Sequence, residues 1–308
     1  MKFVFGPVPS RRLGRSLGIS PIPEKTCNYT CIYCQLGRTT HFTNTREKFF
    51  PVKDILNEIE QALKQEKKID FITIVGEGEP TLYEDLRLLI TGIRERTSIP
   101  IAVITNGALL YKEDVRNSLL EADVIMPTLD AYSEKMFRKI NRPHKEIKLE
   151  MVIEGFKKFR KIYFNQIWLE VMLIKNINDD IQSLKEIRKR IDQLNVDRVY
   201  INVPIRPPAE SWVKIPPTFK LTEAQDILKA ENIAHFEEIL IESVDQETTP
   251  ENQILSILKR HPLRIEQIYT LFPEMKKGEI DLLLDSMRKD EFIESIDYNN
   301  RIFWKVKK

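Results

Sequence analysis

From residue 50 to residue 203 the chain alternates between two hydrophobic periods. "FPVKDILNEIEQALKQEKK" sets Val52, Ile55, Leu56, Ile59 and Leu63 at helical intervals and predicts an amphipathic helix. "IDFITIVGEGEPT" follows as a short β-branched run ending in glycines, a buried strand and its turn. The alternation then repeats. Helices are expected over "LYEDLRLLITGIRER", 112–121, 145–164 and 180–194, and strands over "IPIAVITNG", "ADVIMPTLDA", "IWLEVMLIK" and "DRVYINVPI". Adding "SLGISPI" near residue 20 gives six strands, mostly continuous apolar runs. Such runs between helices call for a parallel sheet covered by helices, an open doubly wound sheet or a barrel. The carboxyl ends of such strands carry the active site. Here those positions hold Cys27, Gly76–Glu79, Thr105-Asn106-Gly107 and Asp130.

After residue 203 the pattern changes. "PIRPPAESWVKIPPTFK" contains five of the 17 prolines and reads as an extended crossing segment. A helix at 222–231, an apolar run "FEEILIES" and a polar linker "VDQETTPEN" come next. Helices at about 251–260, 264–272 and 276–289 then precede two strands, "EFIESIDY" and "RIFWKVK", joined through Asn299-Asn300, a pair that tolerates the positive φ of a tight hairpin. Three helices followed by a hairpin is the winged-helix order. The chain thus divides into 1–205, 206–249 and 250–308, the last self-contained, and shows no internal repeat.

Composition narrows the class. With 42% hydrophobic and 31% charged residues over 308, this is an ordinary globular composition with ample core. The N-terminus has no apolar stretch of signal-peptide length, and no run approaches a membrane span. A cytoplasmic protein without a membrane partner is expected. Net charge is only +2, but residues 1–40 hold six basic residues against Glu24 alone, and residues 134–161 hold ten against four acidic ones. Such patches suit a phosphate or carboxylate, or in the second case a solvated helix face. "SRRLGR" sits among glycines and prolines, off any helix.

All three cysteines fall in "TCNYTCIYCQ", spaced Cys27-x3-Cys31-x2-Cys34. An odd, clustered set in a chain this long points to metal or redox chemistry in a reducing compartment. Three readings follow. Buried thiols can act as small hydrophobes, but the window is polar and loop-like. Zinc needs four ligands, and His41 would complete a Cys3His set. A cubane iron–sulfur cluster on three thiolates leaves one iron open to substrate.

The spacing, with Tyr33 just before the third cysteine, resembles the radical SAM superfamily over about residues 1–205. That resemblance implies a partial (β/α)6 TIM-like barrel, a [4Fe–4S] cluster on Cys27, Cys31 and Cys34, and S-adenosylmethionine bound at the open iron with Tyr33 near its adenine. Later motifs follow in the family's order. "GEGEPT" matches its glycine-rich element at Gly78, Glu79 and Pro80, with Glu77 replacing the first glycine. "TNG" aligns Thr105 and Asn106 with a ribose or carboxylate contact, and "PTLDA" makes Thr128 and Asp130 candidates. In isolation TNG or LDA would read as a helix cap or turn. "FGPVPSRRLGRSLG" and "INRPH" (140–144) look like a subgroup related to wyosine-type tRNA-modifying enzymes, an Fe–S oxidoreductase-like group. No cysteine remains for a second cluster.

The activity this implies is reductive cleavage of S-adenosylmethionine to a 5′-deoxyadenosyl radical that abstracts hydrogen from a substrate in the barrel mouth. A reductant such as ferredoxin or flavodoxin is expected. Glu170 and Arg206 are further candidates near the mouth, with a salt-bridged rim as their plainer reading. Basic segments and a winged helix would suit RNA. A peptide or protein substrate is the other possibility, and because residues 251–308 balance eleven basic against ten acidic residues, the winged helix reads as a protein or substrate docking module over a duplex reader. The alternative from another class is a zinc-stabilised winged-helix regulator that binds nucleic acid without catalysis.

Overall fold

The computed structural model describes residues 1–10, 12–65, 68–231, 249–260, 262–299 and 301–307, with the side chain of Pro9 left out. The chain begins with a hairpin, β1 (Val4–Ser10) and β2 (Gly14–Ile19), and a minimal parallel pair, β3 (Thr26–Cys27) and β4 (His41–Phe42). Helices and strands then alternate: α1 (Val52–Leu63), β5 (Phe71–Ile74), α2 (Leu86–Arg94), β6 (Ile101–Thr105), α3 (Glu113–Ser118) and β7 (Val124–Pro127). Two helices, α4 (Glu134–Ile140) and α5 (Leu149–Arg160), precede β8 (Gln166–Met172), followed by α6 (Ile181–Asp192), β9 (Arg198–Asn202) and α7 (Thr218–Leu228).

All six expected strands form, and they run parallel in the order β2-β5-β6-β7-β8-β9, with β1 added antiparallel at one edge. β1 was not foreseen. Its "VFGPVPS" carries one glycine and two prolines, which the sequence reading takes as turn signals. Such residues are tolerated on an edge strand, where no second neighbour asks for the missing N–H. α4 was likewise missed: only seven residues long, it starts at Ser133, whose hydroxyl accepts from the Met136 N–H. The expected helix at 222–231 starts earlier, at Thr218.

Period-2 alternation sorts the strands' side chains. Ile72, Ile74, Ile101, Val103, Ile125, Ile167, Leu169 and Val171 join the helices in the main core. Ala102, Val124, Met126 and Trp168 face the other way and gather with Leu13, Phe71, Ile104 and Tyr200 in a cluster that includes no helix residue. The turn between β1 and β2 closes over this face. Leu13 joins the cluster, and Arg12 forms an ion pair with Glu170 of β8. In a flat sheet, four strand spacings of about 4.8 Å would hold those residues roughly 19 Å apart. The ion pair therefore requires a curled sheet, a partial barrel whose open side is spanned by the hairpin.

Beyond the barrel come α8 (Pro250–Leu258), β10 (Leu263–Arg264), α9 (Ile265–Leu271), α10 (Lys277–Lys289), β11 (Ile293–Asp297) and β12 (Ile302–Val306). The three helices and the hairpin match expectation; β10, two residues on the far side of β12, was not foreseen. Asn299 takes φ +54°, as the turn requires, while its neighbour Asn300 lies outside the described residues. Ile254, Leu258, Leu263, Ile268, Ile280, Leu284 and Trp304 form a core separate from that of the barrel. The expected apolar run at 236–243, and most of the linker after it, lie outside the described residues. Contacts nonetheless join the two parts. The buried Tyr298 donates its hydroxyl to the Pro204 carbonyl at 2.8 Å, and Arg260 pairs with Glu77 at 3.1 Å and stacks on Phe5.

Candidate active site

Cys27 closes β3, and the loop after it carries Cys31 and Cys34. That loop is held by a segment more than a hundred residues away. Ile32 N donates to Ile140 O at 3.0 Å, Thr30 N to Asn141 O at 3.1 Å and His144 N to Asn28 O at 2.8 Å, with Tyr29 bridged antiparallel to Pro143. "INRPH" is thus the backbone mate of the cysteine loop. The proline-rich segment fastens the other side. Glu210 N donates to Ile32 O at 3.1 Å, and its carboxylate takes Arg38 at 3.1 and 3.2 Å and Arg142 at 2.5 Å. Val213 packs with Ile32, Ile140 and Ile174. Arg206 donates to Gln35 at 2.9 Å, next to Cys34.

Three N–H groups address two of the sulfurs. Tyr29 N lies 3.4 Å and Asn106 Nδ2 3.8 Å from Cys27 Sγ, and Asn141 Nδ2 lies 3.7 Å from Cys31 Sγ. Burial pushes both thiols up; at Cys27 the Glu79 carboxylate adds to this, and at Cys31 the other two cysteines do. A thiol in such surroundings gives up its proton to a cation, and the N–H donors then support the thiolate. The donor set suits metal-bound sulfur.

Two polar clusters flank the loop. On one side Glu79, 1% exposed, accepts from Thr81 N (3.0 Å), Thr81 Oγ1 (2.5 Å), Thr105 Oγ1 (2.5 Å) and Asn106 N (2.7 Å). Burial pushes its carboxyl up against these bonds, which hold it down. It ties the "GEGEP" turn to the "TNG" turn. Gly78 is required by contact: a Cβ there would lie 1.9 Å from Thr26 O on β3. Pro80 opens the short turn that Glu79 caps. Asn106 uses both ends of its amide, Oδ1 accepting from Ala108 N at 2.9 Å and Nδ2 donating to Asn28 Oδ1 at 2.7 Å. Gly107 follows at φ +71°. The plain turn reading of "TNG" holds, and the same turn lies against Cys27.

On the other side Asp130, 2% exposed, accepts from Tyr33 Oη and Asn141 Nδ2, each at 2.7 Å, and from Met172 N at 2.8 Å. Burial pushes its carboxyl up to about 6 despite those donors. The folded protein holds this proton more tightly than the unfolded chain, so ionisation costs stability. Unless cofactors neutralise the region, stability should fall as pH rises from about 4 through about 6. Asp130→Asn should flatten that segment of a thermal-unfolding pH profile; an unchanged slope would assign it elsewhere. Thr128 is half-buried, its backbone bridged to Glu170, and no side-chain bond marks it. Glu170 pairs with Arg12 and accepts from Asn202 at 3.1 Å, so it faces the barrel interior and not the rim that Arg206 occupies.

His41 does not complete a zinc set. It is exposed on β4, with Nδ1 3.4 Å from Thr26 Oγ1. Among the described residues, no three His, Cys, Asp or Glu side chains close on one metal ion. Tetrahedral zinc requires ligands at about 2.3 Å or less from a single centre. Three cysteines that each hold a different iron of a cluster are under no such demand.

Comparison with known proteins meets this geometry directly. The sequence profile of the Radical SAM superfamily matches residues 22–191, more than half of the chain and all of the loop, turns and strand ends just described. The chain belongs to the radical SAM superfamily. A UPF0026 protein of Methanocaldococcus jannaschii is 36% identical over 317 aligned positions, 99% of this chain and 96% of its own. A Brachyspira hyodysenteriae protein named GTPase Obg is 38% identical over 288 positions, 92% of this chain but only 42% of that protein's length. A radical SAM methyltransferase structure from Sphaerobacter thermophilus superposes with TM-score 0.54 at 16% identity, covering 71% of this chain and 64% of that one. The chain is thus an enzyme of the radical SAM type with a curled α/β sheet. Among the described residues no helix is long and apolar enough to cross a membrane.

Sequence reasoning named the cysteines and the strand-end turns but missed Asn28, Asn141 and Arg12. Asn141 lay inside "INRPH", a segment noted for its resemblance and given no role. Its amide reaches both Asp130 and Cys31, which no local period signals. Arg12 was read as part of a basic patch for a substrate anion, because a hairpin that closes a barrel leaves no mark in the hydrophobic pattern. Glu77, where the family's pattern has glycine, turns its carboxylate to Arg260, while its carbonyl accepts from Lys25 N at 2.5 Å.

Proposed function

We propose that Cys27, Cys31 and Cys34 hold one [4Fe–4S] cluster and that the chain cleaves S-adenosylmethionine reductively to abstract hydrogen from a peptide or protein substrate. The observation that carries this is the cysteine loop itself: three thiols, N–H donors trained on two of the sulfurs, and buried carboxylates on either side. When bound and reduced, the cluster supplies one electron to the sulfonium, giving methionine and a 5′-deoxyadenosyl radical. The electron comes from a low-potential donor such as ferredoxin or flavodoxin.

The chain's own part is positioning. Tyr33, Gly78, Glu79, Pro80, Thr105, Asn106, Thr128 and Asp130 line the seat of the cosubstrate. Glu79 and Asp130 are already engaged by internal donors, so they fix the turns and the aromatic that meet it. Preorganised groups of this kind align the reacting carbon without further cost at the moment of reaction.

For the substrate, the charges matter. Arg12 and Arg38 of the basic N-terminus are paired with Glu170 and Glu210. In residues 250–307, read here as a winged-helix-type docking module, Lys305 pairs with Glu294, Lys307 with Glu291 and Arg288 with Asp285. Exposed pairs are weak, so the weight against RNA lies in the charge balance of residues 251–308, eleven basic against ten acidic. This supports a polypeptide over RNA.

The test is anaerobic. Reconstituted protein with dithionite should slowly convert S-adenosylmethionine to 5′-deoxyadenosine without added substrate. Intact S-adenosylmethionine after many hours, with cluster present, would sink the proposal.

A further inference from the structure

Five buried side-chain atoms lack a hydrogen-bond partner among the described residues: Arg12 Nε, Tyr29 Oη, His144 Nδ1, Glu170 Oε1 and Arg260 Nε. Four belong to side chains with a charged neighbour, since Arg12 faces Glu170, His144 faces Glu146 and Arg260 faces Glu77. The Tyr29 hydroxyl is the exception. It is a neutral donor on a 3% exposed side chain, between Cys27 and Cys31 in sequence, and nothing among the described residues accepts its proton.

The ring is fixed. It meets Phe137 edge-on at 5.4 Å, and its backbone is bridged to Pro143 while its N–H points to Cys27 Sγ. The charges that act on the phenol come from Cys31, Glu79, Cys27 and Asp130, all anionic when ionised. Glu79 and Asp130 accept from other donors, as described above. Phenylalanine would fill the same apolar space, so packing does not explain the oxygen. An orphaned buried hydroxyl pays its full desolvation unless something accepts from it.

We propose that Tyr29 is a positioning residue whose hydroxyl donates to an anionic acceptor of the bound cofactors, either a cluster sulfide or cysteinyl sulfur, or the carboxylate of S-adenosylmethionine. This rests on the cluster reading above. The shared chemistry is one hydrogen bond to a negative acceptor that the described residues do not provide. In the cofactor-free chain the hydroxyl is a liability; in the loaded protein it is satisfied.

The test compares wild type with Tyr29→Phe in three measurements that do not depend on turnover. Cofactor-free Tyr29→Phe should unfold at the same or a higher temperature than wild type, because only an unpaired group is lost. With the cluster reconstituted and no S-adenosylmethionine, a sulfur acceptor predicts a lower midpoint potential in the variant, since the lost donor favoured the more negative reduced state. With S-adenosylmethionine added, a carboxylate acceptor instead predicts roughly tenfold weaker equilibrium binding at unchanged potential. If neither potential nor affinity moves, or if the cofactor-free variant is clearly less stable, the hydroxyl serves the polypeptide and the inference is wrong. A wild-type protein that stays colourless on reconstitution overturns the cluster reading itself, and does so before any variant is made.

Discussion

Cys31→Ala, purified without oxygen, should be colourless, whereas wild type should be brown and carry about four irons and four sulfides per chain. The effect is total because a cubane on three protein ligands has no spare one. Asn141 Nδ2, 3.7 Å from that sulfur, would lose its sulfur acceptor as well. Iron and acid-labile sulfide assays on the two proteins decide it. Stoichiometric zinc without sulfide in the wild type, retained in air, would favour the regulator reading, with His41 turning from Thr26 toward the thiols.

Glu79→Ala should be the most damaging change outside the cysteines, and its damage should reach the cluster. Matched to the family's glycine-rich element, this carboxylate could meet the cosubstrate's ammonium, and its loss would then weaken binding and spare the iron. The geometry alters that expectation. Four donors end on Glu79, and one of them, Asn106 N, belongs to the residue whose amide faces Cys27 Sγ. Alanine leaves those buried donors unpaired, at a total cost on the order of 4 kcal/mol. Glu79→Gln keeps one acceptor oxygen and should lose roughly half as much. Chemical denaturation of the cofactor-free proteins measures the first effect, and the rate of iron loss to a chelator measures the second. Full stability with weakened S-adenosylmethionine binding would restore the direct-contact role.

Much of the barrel was legible because its parallel strands are buried on both faces and so read as continuous apolar runs. Ile72 to Ile74 and Ile101 to Val103 could hardly be anything else between two amphipathic helices. The site was legible at Cys27, Cys31, Cys34 and the strand-end turns because tight backbone approach writes itself as glycine, here Gly78 against Thr26. What stayed hidden depends on distance along the chain. Asn141 and Arg142 look like any loop residues until their partners, Cys31 and Glu210, are placed beside them. β1 was masked by prolines that an edge strand can carry. The contact of the C-terminal helices and hairpin with the barrel was underestimated for the same reason: Arg260 and Tyr298 are single anchors, and a period-based reading sees faces.

The distant mate of the cysteine loop has a consequence for how the protein is made. Synthesis runs from the N-terminus at about 5–20 residues per second. The three thiols therefore leave the ribosome well before residues 140–144, which pair with their loop, and before Glu210, which fastens it to Arg38 and Arg142. For roughly ten to thirty seconds they belong to an uncovered nascent segment. During that interval they are open to oxidants and to adventitious metals, and the side-chain N–H groups that address Cys27 and Cys31 arrive only once Asn106 and Asn141 have been made. On the cluster reading, a cell producing this protein has to keep those thiols reduced during translation and deliver iron and sulfide after the barrel has closed.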